Sequence, residues 1–165
     1  MVTREGALEV LELSYSELPP SVNKLYFHKG GRRILSASGK AFKTRFINSG
    51  GGASKIDILN LKLNIEKPYC LIMLFYVKSS KLINESFGKS QRTKYRYKAF
   101  DTTNLVKVTE DAIQELLNIP DQNNFIHLLR KIPVKEESEE GLRVFIGPVD
   151  HPLTKQALIN IVEQI

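Results

Sequence analysis

The sequence predicts an α+β fold in a single domain, on three observations. Cys70–Val77 is a continuous apolar run of strand length, suited to the middle of a sheet. Phe100–Asp121 has helical periodicity instead: at 100° per residue Leu105, Val108, Ala112 and Leu116 share one side, flanked by Val106, Ile113 and Leu117. Shorter strand-like segments, Leu8–Leu13, Phe125–Ile132 and Leu142–Ile146, surround these two. The 165 residues contain no repeat, low-complexity tract or linker, so residues 1–165 read as one domain long enough for its own core.

The remaining elements follow in order. Leu8–Leu13 ends at Pro19-Pro20, which removes two donors and stops regular structure. Lys29-Gly30-Gly31-Arg32 signals a turn, with Leu25–Phe27 and Arg33–Leu35 as the arms of a hairpin. Ser36-Ala37-Ser38-Gly39-Lys40 opens a helix through Ile47, which Gly50-Gly51-Gly52 ends as a flexible connection. Leu59, Leu61, Leu63 and Ile65 alternate with Asn60, Lys62 and Asn64, which predicts a strand able to pair with Cys70–Val77. Lys135–Glu140 reads as an acidic hairpin turn closed by Gly141, and Pro152 starts a last amphipathic helix, Leu153–Ile165.

The net charge of +6 and pI near 9.4 call for an anionic partner, nucleic acid first and an anionic membrane surface second. No run is long enough to cross a bilayer and no secretory signal is visible, so the expected location is the cytoplasm. The single cysteine, Cys70, excludes an internal disulfide and reads as a buried, inert thiol. The charge is concentrated. Between Lys78 and Lys98 seven cations (Lys78, Lys81, Lys89, Arg92, Lys94, Arg96, Lys98) face one acid, Glu85, a net +6 equal to that of the whole chain. Tyr95 and Tyr97 interleave with Lys94, Arg96 and Lys98, and Phe100 follows. Such a stretch neutralises phosphates and offers stacking surfaces to bases.

The polar strip of the 100–121 helix carries Asn104, Lys107 and Asp111, with Asp101 before the helix and Asp121 after it. Each feature has an ordinary structural reading: Asp101, Thr102 and Thr103 as helix caps, Lys107–Asp111 as an i,i+4 ion pair, Asp121 after Pro120 as turn chemistry. Carboxylates beside a polycation also suit phosphodiester hydrolysis. Magnesium takes one or two carboxylates with waters and substrate phosphates, and it can generate hydroxide and stabilise the charge of the displacement. Asp101, Asp111 and Asp121 are candidate ligands and Lys107 a candidate phosphate contact; Glu110 projects about 100° from Asp111 and is less well placed. Other chemistries lack their signatures: His28, His127 and His151 have no metal-binding spacing, and the Walker, nucleophile-elbow and dinucleotide-binding patterns are absent.

Three blocks in order carry a resemblance: Leu18-Pro19-Pro20-Ser21-Val22-Asn23-Lys24-Leu25-Tyr26; Arg33–Lys43 with Ser38-Gly39-Lys40-Ala41-Phe42; and Asp101-x-x-Asn104-Leu105-x-Lys107-x-x-x-Asp111-Ala112. Over roughly Leu8–Val134 the chain resembles the RusA-type Holliday junction resolvases. The resemblance implies a small mixed sheet packed against helices in a two-layer domain, and a homodimeric, magnesium-dependent endonuclease (manganese as a substitute) that makes paired nicks in four-way DNA junctions. It places the first acid of the family's Asp-x-Asp-Asn motif on Asp101, its Asn on Asn104, the essential lysine on Lys107, and the downstream acid on Asp121 across a one-residue gap. Asp111 is the helix Asp, and Asn23 and the basic residues Lys89, Arg92, Lys94, Arg96 and Lys98, with Phe100, would contact DNA. The second acid of the motif is Thr103 here, which lowers the charge available to a metal; Glu110 or Asp111 would have to compensate. The basic stretch 78–100 and the helix 152–165 look like additions to the minimal family domain. Two further readings stay open: a non-catalytic junction-binding protein on the same fold, and an RNA- or ribosome-associated module.

Overall fold

Leu11, Leu13 and Tyr15 are buried while Glu12 and Ser14 are exposed, the period-two pattern of a strand with one face on a core, and they form β1 (Leu11–Tyr15). The computed structural model describes residues 8–20, 22–62, 64, 66–98, 100 and 103–164, with the side chains of Val22, Asn23 and Asn104 outside that description. After Pro19-Pro20 a single turn, α1 (Val22–Leu25), leads into the hairpin β2 (Tyr26–Lys29) and β3 (Arg32–Leu35), whose turn glycines take φ of 57° and 73°. Ser36 caps α2 (Ala37–Asn48) by accepting from the Gly39 N–H at 3.1 Å. Then come α3 (Lys55–Asn60), β4 (Tyr69–Lys78), the one-turn α4 (Ser79–Leu82), α5 (Thr103–Leu117), β5 (Asn124–Val134), β6 (Gly141–Pro148) and α6 (Pro152–Glu163).

The fold is α+β with a small mixed sheet. Its order is β1-β6-β4-β5, with β1/β6 and β6/β4 antiparallel and β4/β5 parallel; β2 and β3 form a separate two-stranded ribbon. The apolar run of β4 takes an interior position, as expected. One face of the sheet presents Leu71, Met73, Phe75, Leu142, Val144 and Ile146, with Leu11 and Leu13, to a core closed by α2 and α5. Phe42 and Phe46 of α2 meet the Tyr15 ring edge-on at 5.8 and 5.1 Å. Leu105, Val108, Ala112 and Ile113 of α5 are buried beside them. Asn118, at φ 52°, ends α5 in the left-handed conformation that terminates many helices.

Four expectations change. The first strand is Leu11–Tyr15 rather than Leu8–Leu13; Leu8 instead makes an isolated parallel bridge to Leu61. The strand over Leu59–Ile65 does not form: Ser54 accepts from the Asp57 N–H at 3.0 Å and starts helix α3, on which Leu59 is exposed, while Leu63 and Ile65 lie outside the described residues. The Lys135–Glu140 segment is no hairpin, because β5 and β6 lie on opposite sides of β4. Glu140 closes that crossing, accepting from the Lys78 N–H at 2.8 Å and pairing with Lys81 at 2.8 Å. Finally, Gly50–Gly52 is a tight 3₁₀ turn, not a loose connection, with φ of 65°, 60° and 85°. The last helix is as expected over Pro152–Glu163; Ile165 lies outside the described residues.

The triple glycine yields a stability prediction. A Cβ at Gly52 would sit 1.8 Å from the Ser14 carbonyl oxygen, whereas one at Gly88 (φ 79°) meets open space. Gly88→Ala should therefore cost about 1 kcal/mol for the backbone conformation alone, and Gly52→Ala about 3 kcal/mol or more. Urea unfolding of the two variants against the parent measures the gap; equal losses would contradict the close approach of this turn to β1.

Candidate functional site

The parallel pairing of β4 and β5 requires a crossover, and the chain makes it with α4, the basic segment and α5. Because α5 runs back against two parallel strands, its N-terminal end lies toward their C-terminal ends, where ligand sites of such units gather. Phe100 leads into this end. It is half-buried against the core, with the Lys131 Nζ 5.7 Å from its ring centroid, so it is a packing residue first. Asp101 lies outside the described residues, as does the side chain of Asn104.

Lys107 and Asp111 stand on the open strip of α5 as the periodicity predicts. Their Nζ and Oδ1 are 3.6 Å apart and the side chains are 64% and 41% exposed, an i,i+4 pair worth a few tenths of a kcal/mol and available to a ligand. Thr103 is exposed one turn earlier. Glu110, one residue before Asp111, turns toward β5: its Oε1 accepts from the Asn124 Nδ2 at 3.2 Å and lies 3.4 Å from the His127 Nε2. That pairing gives His127 a structural partner and separates Glu110 from Asp111. Asp121 is exposed in the 3₁₀ turn Asp121–Asn123, after the C-terminal end of α5. The 15 residues of α5 span about 22 Å, so Asp121 enters from the end of the helix remote from Thr103.

The structure joins the three sequence blocks around one residue that spacing did not single out, Tyr26. The hydroxyls of Ser36 and Ser38 both donate to the Lys24 carbonyl, and the Ser36 N–H donates to the Leu25 carbonyl at 2.7 Å. Leu25 is wholly buried, and a Cβ at Gly39 would come 2.5 Å from the Leu35 Cδ1 and 3.2 Å from the Leu25 carbonyl oxygen, so a side chain there would have to displace Leu35. Lys43 of α2 pairs with Glu115 of α5 at 2.6 Å. Arg33 lies over the Tyr26 ring, 4.1 Å from its centroid. The Tyr26 hydroxyl is buried and has no hydrogen-bond partner among the described residues. Burial pushes its phenol above the ordinary value and the charge of Asp111 adds to the push, against Arg33, Lys107 and Lys43. The Tyr26 phenol thus lies within the influence of Asp111 and of three cations contributed by β3, α2 and α5. The one sequence signal for Tyr26 and Arg33 is that each lies within a motif block.

The donor chemistry fits magnesium, since Asp111, Asp121 and Thr103 offer hard oxygens. Among the described residues no group of three or more His, Cys, Asp or Glu lies together, so a metal here would rest on one or two carboxylates of this set with Asp101. Cys70 is buried and its thiol is pushed up to about 11 by burial, which removes it as a nucleophile. His151 caps α6, its Nδ1 accepting from the Leu153 N–H at 3.2 Å, and His28 lies exposed on β2.

The basic segment forms an arm. Asn84 N–H donates to the Arg96 carbonyl and Lys98 N–H to the Leu82 carbonyl, both at 2.8 Å, around an antiparallel bridge between Ile83 and Tyr97. Ser86 and Thr93 hydroxyls meet at 2.7 Å nearer the tip. Lys89, Arg92, Lys94, Arg96 and Lys98 are all exposed. No ion pair engages Lys89, Arg92 or Lys94 among the described residues. Among those residues, too, no helix is long and apolar enough to cross a membrane.

No protein-family model matches this chain, and a search of characterised proteins returns no significant match.

The electrostatic link between Asp111 and Tyr26 is testable by titration. Asp111→Asn removes a negative charge that disfavours the phenolate, so the Tyr26 pKa should fall toward its ordinary value near 10. Ultraviolet titration of the variant, with Tyr26→Phe identifying the signal, measures the shift; an unchanged or raised pKa would show that the carboxylate does not face the phenol.

Proposed function

We propose that this chain is a metal-dependent, structure-selective DNA endonuclease that resolves four-way junctions by paired phosphodiester nicks, acting as a homodimer in the cytoplasm. The observation that carries the reading is the convergence of the three motif blocks around Tyr26, Lys107 and Asp111, on a chain whose stretch Lys78–Lys98 holds a net +6. Blocks separated by up to about ninety residues in sequence would have no reason to meet at an exposed ion pair if each were only a local cap or turn.

In this reading the exposed cations of the arm neutralise phosphates and set the duplex arms against α5. Asp101 and Asp111 are the residues that would hold magnesium; Asp121, beyond the C-terminal end of α5, would join them only by closing the distance along the helix. The bound metal supplies an activated water and positive charge at the scissile phosphate. Lys107, released from Asp111 by a phosphate that outcompetes a half-exposed carboxylate, neutralises charge developing on the non-bridging oxygens. Arg33, and Lys43 with its partner Glu115, place further cations near Tyr26, whose hydroxyl, without a hydrogen-bond partner among the described residues, is a further donor. Shape selects the substrate, because phosphate contacts position DNA without reading its sequence.

Thr103 supports a second reading. Where the family motif has an acid, this residue brings no charge, so a junction-binding protein that cuts poorly or not at all is the alternative.

Rates on a synthetic junction under single turnover separate the two. Asp101→Asn and Lys107→Ala should each slow nicking by about a hundredfold or more, while junction affinity stays within a few-fold. Full activity in Asp101→Asn would remove that residue from the site. Tight, salt-sensitive binding with no nicks from the parent chain in magnesium or manganese would establish the non-catalytic reading, and preference for structured RNA over the junction would overturn both.

A further inference from the structure

We infer that Tyr95 and Tyr97 form a stacking platform for unpaired bases, so that the DNA this arm selects is opened at its branch point rather than continuously paired. The inference rests on the nucleic-acid reading above and narrows its substrate. Tyr95 and Tyr97 are 75% and 67% exposed, unusual for aromatic rings whose backbone is held in place. Their carbonyl and bridge partners fix them: the Tyr95 carbonyl accepts from the Asn84 Nδ2 at 2.6 Å, and Tyr97 is the bridge partner of Ile83. Ile83 packs on the hydrophobic core, so the base of the arm is anchored while the rings stay in solvent. The Arg96 guanidinium lies 5.9 Å from the Tyr97 ring centroid, and Lys94 and Lys98 flank the pair in sequence.

That arrangement puts two kinds of contact on one short stretch. The cations engage phosphates of any DNA, paired or not. The rings engage base faces, and inside a duplex every internal face is already stacked on its neighbour. Only an unpaired or terminal base offers a free face, so the tyrosines add affinity for open DNA alone. A protein partner with an acidic surface would satisfy the cations and leave the two phenols without a reason to be exposed among them. The location is also informative. Five residues lie between Tyr97 and Thr103, so at most about 22 Å of chain joins them. A base stacked on Tyr97 therefore lies within about six nucleotides of a phosphate at the N-terminal end of α5.

The test uses the full chain in magnesium-free buffer, with 2-aminopurine placed at the crossover of a four-way junction or within one arm. Saturable quenching at the crossover, with little change in the arm, is expected. Tyr95→Ala/Tyr97→Ala should abolish that signal and reduce the preference for junction over duplex by on the order of tenfold or more. The dependence of affinity on salt should not change, since no cation is lost. Tyr95→Phe/Tyr97→Phe should restore both signal and preference, because stacking needs the ring and not the hydroxyl. An alanine variant with unchanged quenching and unchanged preference overturns the platform. Adding magnesium separates the two proposals: nicking by the parent without a crossover signal would leave the endonuclease standing and remove the platform, and a crossover signal without nicking would do the reverse.

Discussion

Parallel pairing of β4 with β5 is the constraint on which the rest of the molecule depends. Two parallel neighbours cannot be joined by a tight turn, so the chain must leave the C-terminal end of β4 and return to the N-terminal end of β5. That excursion carries α4, the basic arm and α5 with its Lys107–Asp111 pair. The apolar side of α5 seals one face of the sheet, and burial of Leu105, Val108 and Ile113 contributes roughly 1.5–3 kcal/mol each. The polar strip is left facing outward by the same geometry. Glu140, bonded to the Lys78 N–H and to Lys81, fixes the point where the excursion starts.

The electrostatics follow from this layout. Lys107, Lys43 and Arg33, from three elements, all act on the Tyr26 phenol, with Asp111 against Lys107 and Glu115 against Lys43, so an anion entering here meets cations whose counterions on α5 are partly exposed carboxylates. The arm extends the same sign outward, with Lys89, Arg92 and Lys94 free of ion pairs among the described residues. Such a gradient favours fast, salt-dependent capture of a polyanion. Glu110 takes no part. Its pairing with His127 and Asn124 anchors α5 to the edge strand, an example of two adjacent acids given different tasks by a 100° turn of the helix.

Much of the fold was legible because its strongest elements are also the most periodic. The unbroken apolar run of β4 and the wide stripe of α5 each identify one structure, and the Gly30-Gly31 hairpin and the Ser36 cap carry their own turn chemistry. The segment after Ser54 was misleading because Leu59, Leu61, Leu63 and Ile65 alternate by coincidence, while the Ser54–Asp57 cap that decides the matter involves a single hydrogen bond. Pairing was not legible either: nothing in β5 or β6 says that β4 stands between them. Of the site, Lys107 and Asp111 were readable from helix phase. Tyr26 was not, since its surroundings come from residues far apart in sequence, and only the folded chain brings Arg33, Lys43 and Asp111 around one hydroxyl.

The central claim is that this convergence is a working phosphodiesterase site. The most direct measurement is a denaturing gel of an end-labelled four-way junction and a linear duplex of the same sequence, incubated with the parent chain with and without magnesium. The account predicts magnesium-dependent, symmetrically placed nicks in the junction and none in the duplex. An intact junction in both magnesium and manganese, at protein concentrations that saturate binding, would contradict it.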